Sequence, residues 1–294
     1  MTATTFASTS LAERISTCTD AAYRIRRGVL EEGAAQGEGY VGQALGAADI
    51  LAVLYADTLR FRAADPEWAD RDRFLLSVGH YALLLYAALA EAGVIPREEL
   101  TTYAADDSRL PMSAMSTYTP GAEISGGSLG HGLGLGVGMC LGLRAQGRHD
   151  QRVFTLFGDG ELNEGSTWEA AMSAASWQLG NLVAFVDLNG IQADGPTQQV
   201  LDIGSQEERW RSFGWHTQRV DGNDVAALIS AVDAALADAT STGQPHVILC
   251  DTTVGKGVPM LESREKLHFM KIDQDEWPLC MDQLQAGYEG SLAR

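Results

Sequence analysis

Three observations predict an α/β fold for this 294-residue chain, with a doubly wound, mainly parallel sheet flanked by helices. Two short apolar runs, Arg152–Phe157 and Leu182–Asp187, read as strands that each stop at a turn, Gly158-Asp159-Gly160 and Asn189-Gly190. Between them Glu164–Leu179 has helical spacing with acid in its first turns, which gives the length of a right-handed βαβ unit. A helix over about Val225–Ala239 and a strand at His246–Asp251 continue the alternation. With no internal repeat and no low-complexity linker, residues 1–294 are expected to form a single domain.

The earlier elements follow from their periodicity. Leu11 to about Gly33 carries Leu11, Ile15, Ala22, Ile25 and Leu30 at helical spacing with charges between, which predicts a surface helix. A glycine-rich loop, Gly37–Gly42, leads into an apolar helix over Ala47–Tyr55 with acidic Asp49 near its start. Asp70–Ser77 reads as a polar loop feeding a short buried strand, and Gly79-His80 turns into an apolar helix over Tyr81–Glu91. Residues 104–122 are loop-like, with Pro111, Pro120 and Gly121. The small-residue segment Gly126–Gly142 reads as a helix packed closely against a partner or a ligand. Its stripe of Leu129, Leu133, Leu135, Val137 and Met139 is expected in the core.

Composition excludes several classes of function. With 21 Lys+Arg against 39 Asp+Glu, the net charge of −18 repels phosphate backbones and anionic lipids, which argues against nucleic-acid or membrane partners. The stretch Leu129–Leu143 is too short and too rich in glycine to span a bilayer. The N-terminal residues show no basic start followed by an apolar run, so no secretory signal is expected. Four scattered cysteines (Cys18, Cys140, Cys250, Cys280) form no C-x-x-C pair and read as reduced, buried thiols of a cytoplasmic protein.

In an open parallel sheet, ligands bind at the carboxyl ends of the strands. Two neighbouring strand ends here carry oxygen donors among glycines: Asp159 in Gly158-Asp159-Gly160, and Asn189 in Asp187-Leu188-Asn189-Gly190-Ile191. Asp, Asn and Gly form turns anyway, so either group alone says little. The pair, 30 residues apart, makes half of a hard-cation site of the kind magnesium completes with phosphate oxygens and water. Gly160 permits close approach of a phosphate, and the helix N-terminus after it favours the negative charge. The glycines of 130–138 lack the G-x-G-x-x-G spacing and the preceding strand of a dinucleotide loop.

The segment from Gly158-Asp-Gly-Glu-Leu-Asn-Glu-Gly165 to Asp187-Leu-Asn-Gly-Ile-Gln-Ala-Asp-Gly195 resembles the thiamin diphosphate fingerprint of the transketolase family. Asp72-Arg-Phe-Leu-Leu-Ser-Val-Gly-His80, Gly127-Ser-Leu-Gly-His-Gly132 and Gly255-Lys-Gly-Val258 through His268 resemble further family motifs, in order, over roughly residues 15–275. A full-length transketolase is about twice this size, so the chain resembles the N-terminal, diphosphate-binding subunit of a split, two-chain enzyme with the thiamin-diphosphate-binding fold.

The resemblance implies roles by position. Asp159, the Asn189 side chain and the Ile191 carbonyl would hold Mg2+ (or Ca2+); Gly158 and Gly160 would lie against the diphosphate. The backbone at Gly127 and the side chain of Leu129 would meet the cofactor rings, and Glu164 matches an interface glutamate on the path between two cofactor sites. His80 and His268 would stand near the diphosphate and the reacting carbon, bonding substrate oxygens or moving protons. His131 replaces a family glutamine and suits packing or interface bonding; Lys256 suits a solvated or structural role as well as a catalytic one.

Some positions depart from the family pattern. Tyr40 stands where transketolases carry a donor-binding histidine, Phe269 replaces the glycine after His268, and the stretch Pro111–Gly121 lacks a second donor-binding histidine. The donor or its pose is therefore expected to differ from an ordinary ketose phosphate, with Tyr40 and Ser113 or Ser116 supplying other hydrogen bonds. The glutamate that activates thiamin lies in the family's pyrimidine-binding domain. This implies a partner, a C-terminal transketolase-like chain of about 300 residues, in an α2β2 heterotetramer acting on small sugar phosphates. Arginines for a substrate phosphate are expected in part from that chain. Two other readings remain: an α-type subunit of a thiamin enzyme acting on 2-oxo acids, and a non-catalytic relative.

Overall fold

The computed structural model describes residues 10–238, 243–265 and 268–292. Helix α1 (Leu11–Gln36) opens with a capping box, in which Ser10 and Glu13 satisfy each other's backbone N–H groups. It closes at Gly37, whose φ of +77° lets its N–H reach back to the Gly33 carbonyl at 2.8 Å. A two-residue strand β1 (Glu38–Gly39) is followed by α2 (Val41–Gly46), then α3 (Ala48–Val53), which widens into a π turn over Leu54–Thr58. Strand β2 (Arg73–Leu76) leads through a 3₁₀ turn, Gly79–Tyr81, to α4 (Ala82–Glu91). Next come α5 (Gly132–Ala145), β3 (Val153–Gly158), α6 (Gly165–Ser176) and β4 (Leu182–Leu188).

The remainder starts with a small hairpin, β5 (Ile191–Gln192) and β6 (Gly195–Pro196). Helices α7 (Thr197–Leu201) and α8 (Gln206–Ser212) precede β7 (His216–Asp221), α9 (Val225–Asp238) and β8 (His246–Asp251). The chain then runs through α10 (Pro259–Glu262), β9 (Met270–Lys271) and α11 (Glu276–Leu292). The expected last residue of α9, Ala239, and most of the N-terminal segment read for a signal lie outside the described residues.

The main sheet has the order β2-β3-β4-β8-β7 and every pair in it is parallel. Successive strand residues point to opposite faces. Phe154, Leu156, Val183, Phe185, Ile248 and Cys250 join a core with α1, α3, α4 and α9. Val153, Phe157, Leu182, Val186, Val247 and Leu249 join a second core with α5, α6, Trp210 and Trp215. Helices therefore cover both faces, as the sequence predicts. Each fully buried Phe, Leu or Ile contributes about 1.5–3 kcal/mol by leaving water. All four cysteines are buried and free. No helix among the described residues is long and apolar enough to cross a membrane.

Two expectations are overturned. Helix α1 is not a surface helix: Cys18, Ala21, Ala22, Ile25, Val29, Leu30 and even Arg26 and Glu32 are buried. The charges that mimic a solvent face are tied into the fold, Arg14 to Asp57 and Asp233, Arg24 to Glu91, and Arg26 to Asp49. The glycine-rich helix begins at Gly132 rather than Gly126, and only one side of it packs. Leu133 and Val137 are core, Leu129 and Met139 are half-buried, and Leu135 is 45% exposed. Gly134, Gly138 and Gly142 face open space.

Candidate active site

Parallel pairing puts the ends of β3 and β4 side by side, with Gly158 opposite Asp187. The Asp159 N–H continues the ladder to the Asp187 carbonyl at 3.0 Å, and the Asp159 side chain turns back under the Gly190 loop. One Asp159 oxygen accepts from the Gly160 N–H at 2.7 Å; the other accepts from the Gly190 N–H and the Thr197 hydroxyl, both at 2.9 Å. All these donors are neutral, and among the described residues no cation pairs with it. Burial therefore pushes its carboxyl up to about 6, with the Asp187 charge adding and the three hydrogen bonds opposing. A buried carboxylate lacking a counter-ion fits a bound cation.

Asn189 is oriented from behind. Its amide nitrogen donates to Asp187 Oδ2 at 2.7 Å and to the Tyr81 hydroxyl oxygen at 2.9 Å. Tyr81 in turn donates to Asp187 at 2.7 Å, and Thr252 donates to the other Asp187 oxygen. With the nitrogen so engaged, the Asn189 oxygen is turned to the strand tip, where it accepts from the Ile191 N–H at 3.0 Å. Asp187, fully buried, positions this amide as an outer-shell carboxylate positions a metal ligand. Its role, and that of Tyr81 and Thr252, goes beyond the sequence reading; a carboxylate ending an otherwise apolar strand is the signal for it. Among the described residues no cluster of three His, Cys, Asp or Glu side chains could hold a metal by itself. The expected donors, one carboxylate, one amide and one carbonyl, would suit magnesium sharing phosphate oxygens.

These strand tips border a cavity of about 520 Å³ that also takes in His80, Gly127, Leu129 and His268. Gly158, Asp159, Gly160 and Ile191 line it as well, so most of the predicted positions converge on one space. Gly79 makes the convergence possible: a Cβ there would lie 2.4 Å from the backbone of Gly126 and Gly127, and Gly127 itself has φ +120°. Asn189 supports the tip without lining the cavity, and Glu164 stands outside it, exposed at the start of α6 with no side-chain cap bond. Glu161, missed by the sequence reading, lines the cavity; its carboxyl accepts from Ser77 and from the Gly130 N–H at 2.7 Å, and burial pushes it up to about 7.

The histidine wall is aromatic. The Tyr40 ring meets His80 edge-on at 4.7 Å between centroids, His268 at 5.3 Å and Phe269 at 5.0 Å. His80 and His268 lie 5.5 Å apart. Burial, with the neighbouring His268, lowers His80 to about 4, so it is neutral near pH 7. Burial also lowers His268, against the pull of Asp194. Ser113 lines the cavity, whereas Ser116 is exposed and bonds Ser125. Lys256 borders a different cavity with Arg26, Asp49 and Asn223, so it plays no part here.

The family described as transketolase, thiamine diphosphate binding domain, matches residues 19–289. The chain belongs to the transketolase family. A transketolase family protein of Sinorhizobium fredii is 55% identical over 266 residues, 90% of this chain and 94% of its own length. The 6-deoxy-6-sulfo-D-fructose transketolase subunit of a Clostridium species is 38% identical over 261 residues, 89% of this chain and 94% of its own. A transketolase mutant from Pichia stipitis superimposes with a TM-score of 0.84 at 32% identity, over 92% of this chain and 40% of that one. The chain thus spans about two-fifths of that solved transketolase, the thiamin-diphosphate-binding part, but nearly the whole of relatives named as transketolase subunits. Transketolases are transferases, so the cavity belongs to an enzyme subunit.

Proposed function

We propose that this chain is a single-domain, cytoplasmic subunit that supplies the diphosphate and metal half of a two-chain transketolase. The enzyme moves a two-carbon ketol unit from a ketose, or ketose phosphate, to an aldose. The observation that carries this reading is Asp159, a buried carboxylate without a counter-ion, at a strand tip beside Asn189 and open to the histidine cavity. Asp159, Asn189 and the Ile191 carbonyl would hold Mg2+, or Ca2+, and Gly158 and Gly160 would lie against the diphosphate. Gly127 and Leu129 would meet the cofactor rings. Thiamin diphosphate, when bound, supplies the electron sink for the two-carbon fragment. His80 and His268, both neutral, bind oxygens of the sugar in the cavity and shield the site from water. Glu164, exposed on the outer face, fits a role across a subunit interface.

Two observations support a partner. Relatives of matching length carry the name of subunits, and the open glycine side of α5 leaves Leu135 and, on the adjoining α6, Met172 half exposed. We take the partner to be a C-terminal transketolase-like chain of about 300 residues, in an α2β2 assembly. Among the described residues no Lys or Arg lines the cavity, and we take cations for an anionic substrate arm to come in part from that partner. The relatives' names, a 6-deoxy-6-sulfo-D-fructose and an apulose-4-phosphate transketolase subunit, support a donor other than the common ketose phosphates. So does Tyr40. The test is co-expression with the product of the adjacent gene, followed by a donor screen with Mg2+ and thiamin diphosphate. Ketol transfer only in the presence of both chains is expected. Full turnover by this chain alone, carbon dioxide release from a 2-oxo acid, or failure to bind thiamin diphosphate with the partner present would each overturn it.

A further inference from the structure

Helix α2 is buried at all six positions, and five of them are Val, Ala, Leu or Gly. The sixth, Gln43, is 1% exposed. An amide in such surroundings is costly unless bonded. Its nitrogen lies 2.8 Å from the His268 carbonyl oxygen and 3.0 Å from His268 Nδ1. Its oxygen has no partner among the described residues. The two contacts to His268 are what the side chain is held by.

Those contacts decide a proton position. A carbonyl oxygen only accepts, so the amide group facing it must be the NH2; an amide oxygen there would meet another oxygen at 2.8 Å. With one amide hydrogen on the carbonyl, the other is directed at Nδ1, which must therefore present its lone pair. We infer that Gln43 is a positioning residue that fixes His268 as the neutral tautomer carrying its proton on Nε2. A proton on Nδ1 would set N–H against NH2, so the same contact opposes the imidazolium. Among the described residues, the other groups that bear on His268 divide: Asp194 favours the charged ring, while His80 at 5.5 Å and the Tyr40 edge at 5.3 Å contribute no negative charge.

The consequence is directional. His268 lines the cavity and its Nδ1 is engaged by the protein, so Nε2–H is the group offered to an incoming oxygen. It donates a hydrogen bond to a carbonyl, hydroxyl or alkoxide of the sugar and does not act as a base through either nitrogen while neutral. This consequence rests on the proposed ketol transfer at this cavity; the tautomer does not.

The test separates the two. Two-bond 15N–1H correlation spectra of the full chain, labelled at histidine and assigned with His268→Gln, read the tautomer directly. A pyridine-like Nδ1 and a pyrrole-like Nε2 are expected at pH 7 and above. Gln43→Met should give a tautomer mixture, and Gln43→Glu, whose carboxylate accepts, should move the proton to Nδ1 and raise the ring's titration. An Nδ1–H or charged His268 in the wild-type chain at pH 7 overturns the inference. So does the wild-type pattern persisting in both variants. The wild-type spectrum decides even if a variant fails to fold. In the two-chain enzyme, Gln43→Met should lower kcat about tenfold at unchanged thiamin diphosphate affinity. If no ketol transfer occurs with wild-type chains, the functional reading fails while the tautomer assignment stands.

Discussion

The two walls of the cavity are built in different ways. The wall proposed to hold the metal is local: Asp159 and Asn189 sit on the tips of adjacent parallel strands joined by a single helix, and Asp187 on one of those strands orients Asn189. The histidine wall is assembled from afar. The two-residue ladder of β1 with β9, pairing Glu38 with Lys271 and Gly39 with Met270, carries His268 and Phe269 over Tyr40. His80 arrives separately from the end of β2. The proposed cation site, which needs its ligands held with little positional error, would sit on the rigid wall. The wall proposed to meet the sugar is held by a short ladder, where a change of side chain would re-shape the pocket without touching the proposed metal ligands.

The largest effect should come from breaking the rigid wall. Asp159→Ala removes the one carboxylate of the donor set. It should abolish the thermal stabilisation by Mg2+ and thiamin diphosphate and lower ketol transfer by at least about 100-fold. The wild-type chain should show the same loss with acid. The folded carboxyl titrates at about 6 against an ordinary 3.8, so below about 6 a proton competes with the cation. The sign for the cofactor-free chain is opposite: this group's contribution to stability is full below 3.8 and is lost as pH rises through 6. Thermal melts from pH 5 to pH 8, with and without Mg2+ and thiamin diphosphate, check both. Stabilisation by the cofactors that is undiminished at pH 5 would contradict the assignment of Asp159.

Tyr81→Phe tests the backing of that wall at one remove. It deletes the hydroxyl that donates to Asp187 and accepts from Asn189. Loss of the bond should cost about 1 kcal/mol of folding stability. The freed Asn189 amide should lower metal affinity about tenfold, measured as the Mg2+ dependence of cofactor binding. Equal Mg2+ affinity in mutant and wild type would assign Tyr81 to packing alone.

How each wall is built also decides what the sequence reveals. Asp159, Asn189 and the alternation around them are legible because strand, turn and helix periodicities are local and the motif spans one βα crossover. The parallel sheet and its helices on both faces follow for the same reason. The burial of α1 was hidden because the charges of Arg14, Arg24 and Arg26 read as a wet face, while their acid partners lie 23 to 219 residues away. Strand β7, with Thr217, Gln218 and Arg219 at an edge, lacks the apolar run that marks the inner strands. The β1–β9 ladder joins residues 38–39 to 270–271, and no two-residue strand has a period to read. Gln43 escaped notice because α2 falls between the loop expected over Gly37–Gly42 and the helix expected from Ala47.

Breaking the assembled wall should have a smaller and different effect. Met270, 1% exposed, anchors the ladder in the core. Met270→Ala should cost about 2–5 kcal/mol of stability, seen as a lower Tm. His268 follows the ladder, so ketol transfer should fall several-fold while Mg2+ and thiamin diphosphate bind as before. A parallel loss of cofactor affinity would show that the two walls are mechanically one.

The finest distinction lies between two serines of the loop that replaces the family's second histidine. Ser113 lines the cavity, donating to the Gly126 carbonyl at 3.2 Å where the backbone crosses Gly79. Ser116, three residues on, faces solvent beside Ser125. A hydroxyl that bonds a sugar oxygen in a partly dry pocket is worth about 0.5–1.5 kcal/mol, which is about two- to tenfold in binding. Ser113→Ala should therefore raise the donor KM within that range and leave kcat unchanged, while Ser116→Ala should change neither. The loop stands on the sugar side, so neither variant should alter Mg2+ affinity. If Ser116→Ala raised KM and Ser113→Ala did not, the loop would have to re-fold over the donor on binding. The histidine wall would then be mobile as well as assembled.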